Sequence, residues 1–235
     1  MKSRIIIAAL AFFVFVQAQS QVTFKPGLRA GVNVSHFTKG IDFDNQYYYV
    51  YEDPFYPNVV PYSSRIDYSD KVDFYIGFYG ALRLTKYYTL QPEINYSRQG
   101  SKVEFISNNI RTNSKVDISY LSTAVINKFT FSEKFNVHFG PTIDFVVDKS
   151  RNTLNGFADN PSTLPSGQYY SSNHYGNNIT AIDLAFVAGF GFNFTRNIGI
   201  EARIKKGIVP VIDDFESNNT NVVYSLGATY TFDLK

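Results

Sequence analysis

Few residues in this 235-residue chain are suited to catalysis. It has three histidines, His36, His138 and His174, and no cysteine. A serine nucleophile needs a base within hydrogen-bond reach and a third group that orients the base. Ser35 and His36 are neighbours, so on an extended strand their side chains would point to opposite faces. The histidines therefore do not predict a catalytic site, and we expect a non-catalytic protein without a cofactor.

One acidic run is the best candidate for a metal site. It contains Asp213, Asp214 and Glu216. Calcium takes about six to eight oxygen ligands, and the loops that bind it space their acidic residues regularly. Because this run lacks that spacing, we expect a solvated acidic loop and no metal site.

Several segments have one apolar face, and charged residues occur at alternate positions on the opposite face. Such charges would point into the interior of a closed sheet, where a paired charge is tolerable and an unpaired one is costly. We predict an ion-paired cluster that plugs the interior, with a gated small channel as the alternative. The predicted members are Arg29, Arg83, Glu93, Glu201 and Arg203.

An aromatic-rich stretch is the most distinctive candidate for recognition. Tyrosine offers a large contact area at a small cost in conformational entropy, which suits binding surfaces. We predict a surface-recognition loop for envelope proteins or glycans; the alternative is that the rings pack on one another at a membrane rim. The residues are Tyr47, Tyr48, Tyr49, Tyr51, Phe55 and Tyr56.

The N-terminal residues predict export. Lys2 and Arg4 precede a 12-residue apolar run, Ile5–Val16, and a small residue follows at Ala18. The run is shorter than the about 20 residues that a membrane-spanning helix needs, and the pattern is typical of a signal peptide. We predict cleavage after Ala18, which leaves residues 19–235 as a single barrel domain.

Period-two alternation predicts eight strands, each with an apolar and a polar face. The fourth is the least regular, since Leu121, Ser122 and Val125 break the alternation. Its apolar face is predicted to carry Val116, Ile118, Tyr120, Ala124 and Ile126. The segments are Leu28–Ser35, Val72–Leu84, Tyr88–Ser97, Val116–Asn127, Phe135–Val147, Ile182–Phe194, Ile198–Lys205 and Val222–Phe232.

Long and short connections alternate between these strands. The short ones are residues 85–87, 130–134 and 195–197. An even number of strands with short periplasmic turns and long extracellular loops is typical of an outer-membrane barrel. We therefore predict an all-β fold, an eight-stranded antiparallel up-and-down transmembrane β-barrel with both termini in the periplasm. The predicted extracellular loops lie near 38–70, 100–114, 148–178 and 210–219.

The apolar faces indicate which side of the barrel meets lipid. They present more apolar surface than an eight-stranded interior, which side chains just fill, can hold. We therefore expect outer-membrane lipid around the barrel; a soluble lipocalin-like ligand carrier, with the faces exchanged, is the alternative. A net charge of only +2 argues against a nucleic-acid partner.

Four segments have the glycine and aromatic patterns of a barrel in a distinctive order: Pro26–Ser35, Leu90–Tyr96, Phe139–Pro141 and Leu226–Phe232. Through these segments the chain resembles the PorT-type outer-membrane β-barrel domain family of Bacteroidota. The resemblance implies an integral outer-membrane barrel, and the namesake's link to type IX secretion makes an accessory role in secretion or transport an alternative. We otherwise expect a structural or cell-surface interaction role.

Overall fold

The computed structural model describes residues 22–38, 41–50, 58–107, 110–132, 134–158, 179–212 and 219–233. The predicted signal peptide and its cleavage site lie outside these residues. So do His174, the acidic run at residues 213–216, and Tyr51, Phe55 and Tyr56 of the predicted recognition loop. In the described parts of the chain, no helix is long and apolar enough to cross a membrane.

The described residues contain ten strands that form one sheet, and eight of these strands close into a ring. The ring runs β5-β4-β1-β10-β9-β8-β7-β6, and β6 pairs back onto β5. Every neighbouring pair in this ring is antiparallel. The predicted eight-stranded barrel is therefore confirmed. The strands are β1 Thr23–Phe37, β2 Ile41–Val50, β3 Asn58–Ser69, β4 Lys71–Arg83, β5 Tyr88–Ser107, β6 Ile110–Phe131, β7 Phe135–Ala158, β8 Ile182–Asn193, β9 Ile198–Gly207 and β10 Asn221–Thr231.

The first and last strands of the ring meet at a glycine pair. Gly31 of β1 lies opposite Gly227 of β10. A Cβ atom on Gly227 would stand 2.1 Å from the Tyr75 hydroxyl, and one on Gly31 would stand 2.2 Å from the Leu226 carbonyl oxygen. Only glycine allows so close an approach without a shift of the neighbouring atoms. The closing seam thus depends on two residues without side chains.

The outer face of the ring is apolar and the inner face is polar. Phe78 is 67% exposed, whereas Glu93 on the neighbouring strand is 3% exposed. A soluble lipocalin-like barrel would bury the apolar face, so this alternative is wrong. Other exposed apolar side chains are Val32, Phe74, Ile76, Ile94, Val125, Phe139, Leu184, Phe190, Ile200, Ile204 and Leu226.

The fourth predicted segment, now part of β6, has the opposite orientation from the prediction. Ala124 and Ile126 are 8% and 0% exposed and belong to a buried cluster, whereas Leu121 and Val125 are 41% and 47% exposed. The prediction that this face meets lipid is wrong for all five of its residues, since Val116, Ile118 and Tyr120 are buried as well. It failed because apolar side chains also fill parts of the interior. Ala124 and Ile126 pack with Val187 there, and the other three residues line the interior farther along β6.

Val116, Ile118 and Tyr120 belong to an apolar cluster at the end of the barrel away from the short turns, here called the outer apolar cluster. Its aromatic edge is Phe37, whose ring meets Tyr68 in an edge contact with centroids 5.4 Å apart. Tyr68, Val146 and Ile179 pack against it. The cluster therefore fills the interior at this end. Its members are Phe37, Ile66, Val103, Val116, Ile118, Tyr120 and Val211.

The sheet extends beyond the ring on one side, and we call this extension the strand wall. It consists of β2, β3 and the outer parts of β5, β6 and β7. β2 pairs with β3, β3 pairs with β5 from Ser64 to Ser69, and β6 pairs with β7 as far as Ala158. The structure thus places strands within three spans that we predicted as loops, 38–70, 100–114 and 148–178. Period two could not reveal these extensions, because they depend on pairing between segments that are far apart in sequence.

Candidate functional site: the charged interior

Three strands bring four charged side chains to one level of the interior. Arg29 lies on β1, Glu93 on β5, and Glu201 and Arg203 lie two residues apart on β9. Residues two apart on a strand share a face, so Glu201 and Arg203 both point inward. All four side chains are at most 5% exposed. We call these four residues the inner ionic cluster.

The cluster is a closed set of ion pairs. Arg29 donates to Glu93 and to Glu201, each at 2.5 Å. Arg203 donates through both terminal nitrogens to Glu93, each at 2.8 Å, and to Glu201 at 2.9 Å. The Arg203 and Glu93 pair is bidentate, the geometry that best matches a guanidinium to a carboxylate. Two positive and two negative charges cancel, so the set is neutral.

Uncharged side chains complete the cluster. The Gln91 amide donates to Glu93 at 2.7 Å, and the Asn95 amide donates to it at 3.3 Å. The Arg29 guanidinium lies over the Tyr75 ring, 4.8 Å from its centroid. Sequence reasoning missed Gln91, Asn95 and Tyr75 because it considered only charged residues. Their inward-facing parity on β4 and β5 was the signal that could have found them.

Arg83, the fifth predicted member, lies elsewhere. Its side chain is exposed at the end of β4, where it donates to the carbonyl oxygens of Thr85 and Lys86 at 3.3 and 3.0 Å. The structure therefore brings together four of the five predicted residues. Arg83 shares their face of the sheet but lies several residues nearer the short turn than Glu93 does. Because a strand rises about 3.3 Å per residue, this difference places Arg83 at another level of the barrel.

A layer of amide and hydroxyl groups lies above the cluster. Asn33 donates to Ser97 at 2.8 Å and accepts from Ser225 at 2.8 Å. Gln99 donates to Ser97 at 2.8 Å and accepts from Asn221 at 2.5 Å. These contacts leave a cavity of about 60 Å³, which is lined in part by Arg29, Glu93 and Arg203. At this level the interior has room for only a few water molecules.

Two further ion-paired groups lie nearer the outer end. Lys205 contacts Asp144, which also accepts from Thr142 at 2.9 Å. Lys71 contacts Asp73 at 2.6 Å and Asp117 at 2.7 Å. Lys71, Asp117 and Asp144 are buried, and each of these three charges has an opposite charge beside it. The outer apolar cluster then closes the interior above them.

The described histidines do not form a catalytic arrangement. His36 pairs with Asp70 at 3.0 Å, while the Ser35 hydroxyl donates to the Gly100 carbonyl at 2.9 Å. His138 is buried, with its Nδ1 atom 3.1 Å from the Asn136 amide oxygen. Across the described residues, no group of three or more His, Cys, Asp or Glu side chains is placed to hold a metal.

The predicted recognition residues are only partly within the described chain. Tyr47, Tyr48 and Tyr49 lie on β2 of the strand wall, opposite Pro61, Val60 and Val59. The backbone at these positions is therefore paired as a strand, where we predicted a loop. Tyr51, Phe55 and Tyr56 follow outside the described residues.

Solved outer-membrane proteins resemble the fold at low identity. Ail of Yersinia pestis is 13% identical, with 88% of this chain and 98% of Ail covered and a TM-score of 0.39. Neisserial surface protein A is 10% identical, with coverages of 88% and 97% and a TM-score of 0.43. OprG of Pseudomonas aeruginosa is 12% identical, with coverages of 92% and 99% and a TM-score of 0.43. These similarities are too weak to support a functional assignment.

The sequence itself matches one family model, the outer membrane protein β-barrel domain, over residues 17–213. No curated protein matches the sequence. The predicted location in the outer membrane is confirmed, while the PorT-type resemblance and the secretion role that it implies stay predictions. Since the match extends over most of the barrel, the chain belongs to the outer membrane protein β-barrel domain family.

Proposed function

We propose that this protein is a closed, non-catalytic barrel that anchors the strand wall at the cell surface, where the wall binds envelope proteins or glycans. The length of the wall is the observation that carries the proposal. β6 has 22 residues and β7 has 24, whereas a tilted strand needs about 9 to 11 to cross the hydrocarbon. The surplus extends the sheet far beyond what anchoring requires.

The side chains of the wall support its position outside the bilayer. Arg65 is 58% exposed and pairs with Asp67 on the same strand at 2.5 Å. The Lys115 side chain is 44% exposed. Charges of this kind on a lipid-facing surface would be strongly destabilising. The outer face of the wall therefore meets water, where it is free to contact a partner.

The interior supports an anchor rather than a channel. The inner ionic cluster occupies the middle of the lumen, and the outer apolar cluster fills its far end. An ion would have to displace both barriers to cross. The two barriers are chemically independent, since one is held by ion pairs and the other by apolar packing.

Conductance in planar lipid bilayers tests the closed barrel. We expect no channel events from the purified protein, while a porin of known conductance in the same bilayer gives the usual steps. Glu93→Gln should be equally silent because the outer apolar cluster remains. Reproducible conductance steps from the wild-type protein, altered by Glu93→Gln, would instead support a gated channel.

Binding assays with cells that display the barrel test the surface role. Cells that display the wild-type barrel and cells that display a variant with Tyr47, Tyr48 and Tyr49 replaced by Ser are applied to a glycan array and to immobilised envelope extract. We expect the triple variant to lose most of the binding that the wild type shows. Tyr87→Ser, at the opposite end of the barrel, is the matched control and should bind like the wild type. Equal binding by all three displays would refute a role for the wall.

A further inference from the structure

The end of the barrel at the short turns contains a large cavity. Its volume is about 630 Å³, which lies within the about 300 to 1,000 Å³ of common small-molecule sites. Gln91 and Lys128 line its inner part, and residues of the turns line its mouth. Because short turns of such barrels face the periplasm, the cavity opens there. The inner ionic cluster begins next to Gln91, so the cavity is blind.

The charged residues that line this cavity are all basic. They are Lys25, Arg83, Lys86, Lys128 and Arg196, and no acidic residue is among the described residues that line the cavity. Lys25 is neutralised by Asp233 beside the mouth. The hydrogen bonds that Lys25 and Asn197 donate to the Asp233 carboxyl lower its pKa, so Asp233 stays ionised at neutral pH. Four cationic side chains remain.

Within the described residues, none of these four forms an ion pair at contact distance, although Arg196 acts on the Asp233 carboxylate at longer range. Arg83 donates only to carbonyl oxygens of the β4–β5 turn. Lys86 lies 5.5 Å from the centroid of the Tyr87 ring. The inner ionic cluster nearby is neutral within itself, so it supplies no net counter-charge. A recess lined by one sign of charge, with walls of low dielectric constant, concentrates ions of the opposite sign.

We propose that this cavity binds a soluble multivalent anion from the periplasm, a compound that carries several phosphate or carboxylate groups. Arginine and lysine are the side chains that bind such groups most strongly. The Tyr79 and Tyr87 side chains line the same cavity and provide surface for the organic part of the ligand. This site is separate from the strand wall, so it does not depend on the function proposed above.

Calorimetric titration of the purified barrel in uncharged detergent tests this site, with tripolyphosphate and citrate as probes. We expect one site per barrel, and binding at least about tenfold weaker in the double variant Lys86→Gln/Lys128→Gln, which removes two of the four free charges. Binding should also weaken as sodium chloride is raised, because salt screens an open charged site. Lys134→Gln is the matched control, since Lys134 is exposed in the β6–β7 turn but does not line the cavity. It should bind like the wild type.

A folding control and a lipid competition experiment distinguish the remaining outcomes. Heat-modifiability on gels shows whether the double variant still folds, and Lys86→Gln alone, in an exposed turn, keeps the test available if it does not. In nanodiscs with phosphatidylglycerol in place of phosphatidylcholine, unchanged tripolyphosphate affinity supports a soluble ligand, whereas strong competition would assign the site to a lipid headgroup and overturn the proposal. Absence of heat for both probes, or equal weakening by Lys134→Gln, would also overturn it.

Discussion

Glu93 is the residue on which the inner ionic cluster depends. Both of its oxygens accept from Arg203, and one of them also accepts from Arg29. Glu201 contacts the same two arginines through one bond each. Removing the charge of Glu93 would leave two buried guanidinium groups with a single carboxylate between them. A buried charge that has lost its partner is far more costly than an intact pair is stabilising.

We therefore expect Glu93→Gln to lower the free energy of unfolding by about 3 kcal/mol or more. Urea titration of the heat-modifiable band, after folding into lipid vesicles, measures this change. Arg83→Gln is the control: Arg83 is exposed and bonded only to turn carbonyls, so its loss should change stability by less than about 0.5 kcal/mol. If the two variants were equally stable, the cluster would not hold the barrel together.

The alternation along β6 predicts the wrong face orientation, because the strand lies in two environments. Nearer the short turns its inward positions include Ser122, Ala124 and Ile126, while farther along they include Ile118 and Tyr120 of the outer apolar cluster. Apolar residues therefore face inward along much of β6. Its pairing with β7 also shifts between Ser119 and Tyr120, so one residue of β7 is left unpaired there.

Single cysteines test this orientation cleanly, because the natural chain has none. A spin label at Thr123→Cys should be accessible to oxygen dissolved in lipid, since Thr123 is exposed on the outer face. A label at the adjacent Ala124→Cys should be shielded from it, because Ala124 is 8% exposed and points inward. The reverse accessibility would restore the orientation that the alternation alone predicts.

The two ends of the barrel differ in structure and charge. One end carries short turns, both described chain ends and the basic cavity, and the other carries the strand wall over the outer apolar cluster. In the wall, Arg65 and Lys102 are each paired with strands on both sides. A protease needs an extended, unpaired segment, so such residues are protected even when their side chains are exposed.

Trypsin digestion of intact cells tests both the wall and the orientation. We expect no cleavage after Arg65 or Lys102, because their backbones are paired on both sides. Lys134, exposed in a short turn, should be cut only after the outer membrane is permeabilised. Boiled protein, cut at all these sites, is the control, and mass spectrometry of the fragments gives the positions. Cleavage after Lys134 in intact cells would reverse the orientation, and rapid cleavage after Arg65 would contradict the wall.

The sequence predicted those features that depend on alternation along one strand. Phe78 and Ile94 face outward and Arg29 and Glu93 face inward, as their parity indicates. Strand parity is a local property, fixed by the backbone of an extended chain. The number of ring strands and the side that meets lipid follow from it, since one apolar face per strand must be covered.

The remaining features depend on how strands pair and where they leave the membrane. Arg83 has the same parity as Arg29 but lies at a different height, so only the strand register excludes it from the inner ionic cluster. The extent of the strand wall depends on the pairing of β3 with β5 and of β6 with β7, between segments far apart in sequence. Ile126 faces inward, where it packs with Ala124 and Val187 inside the barrel. Such contacts join residues far apart in sequence, and their geometry is therefore decided by the closed barrel and not by any local pattern.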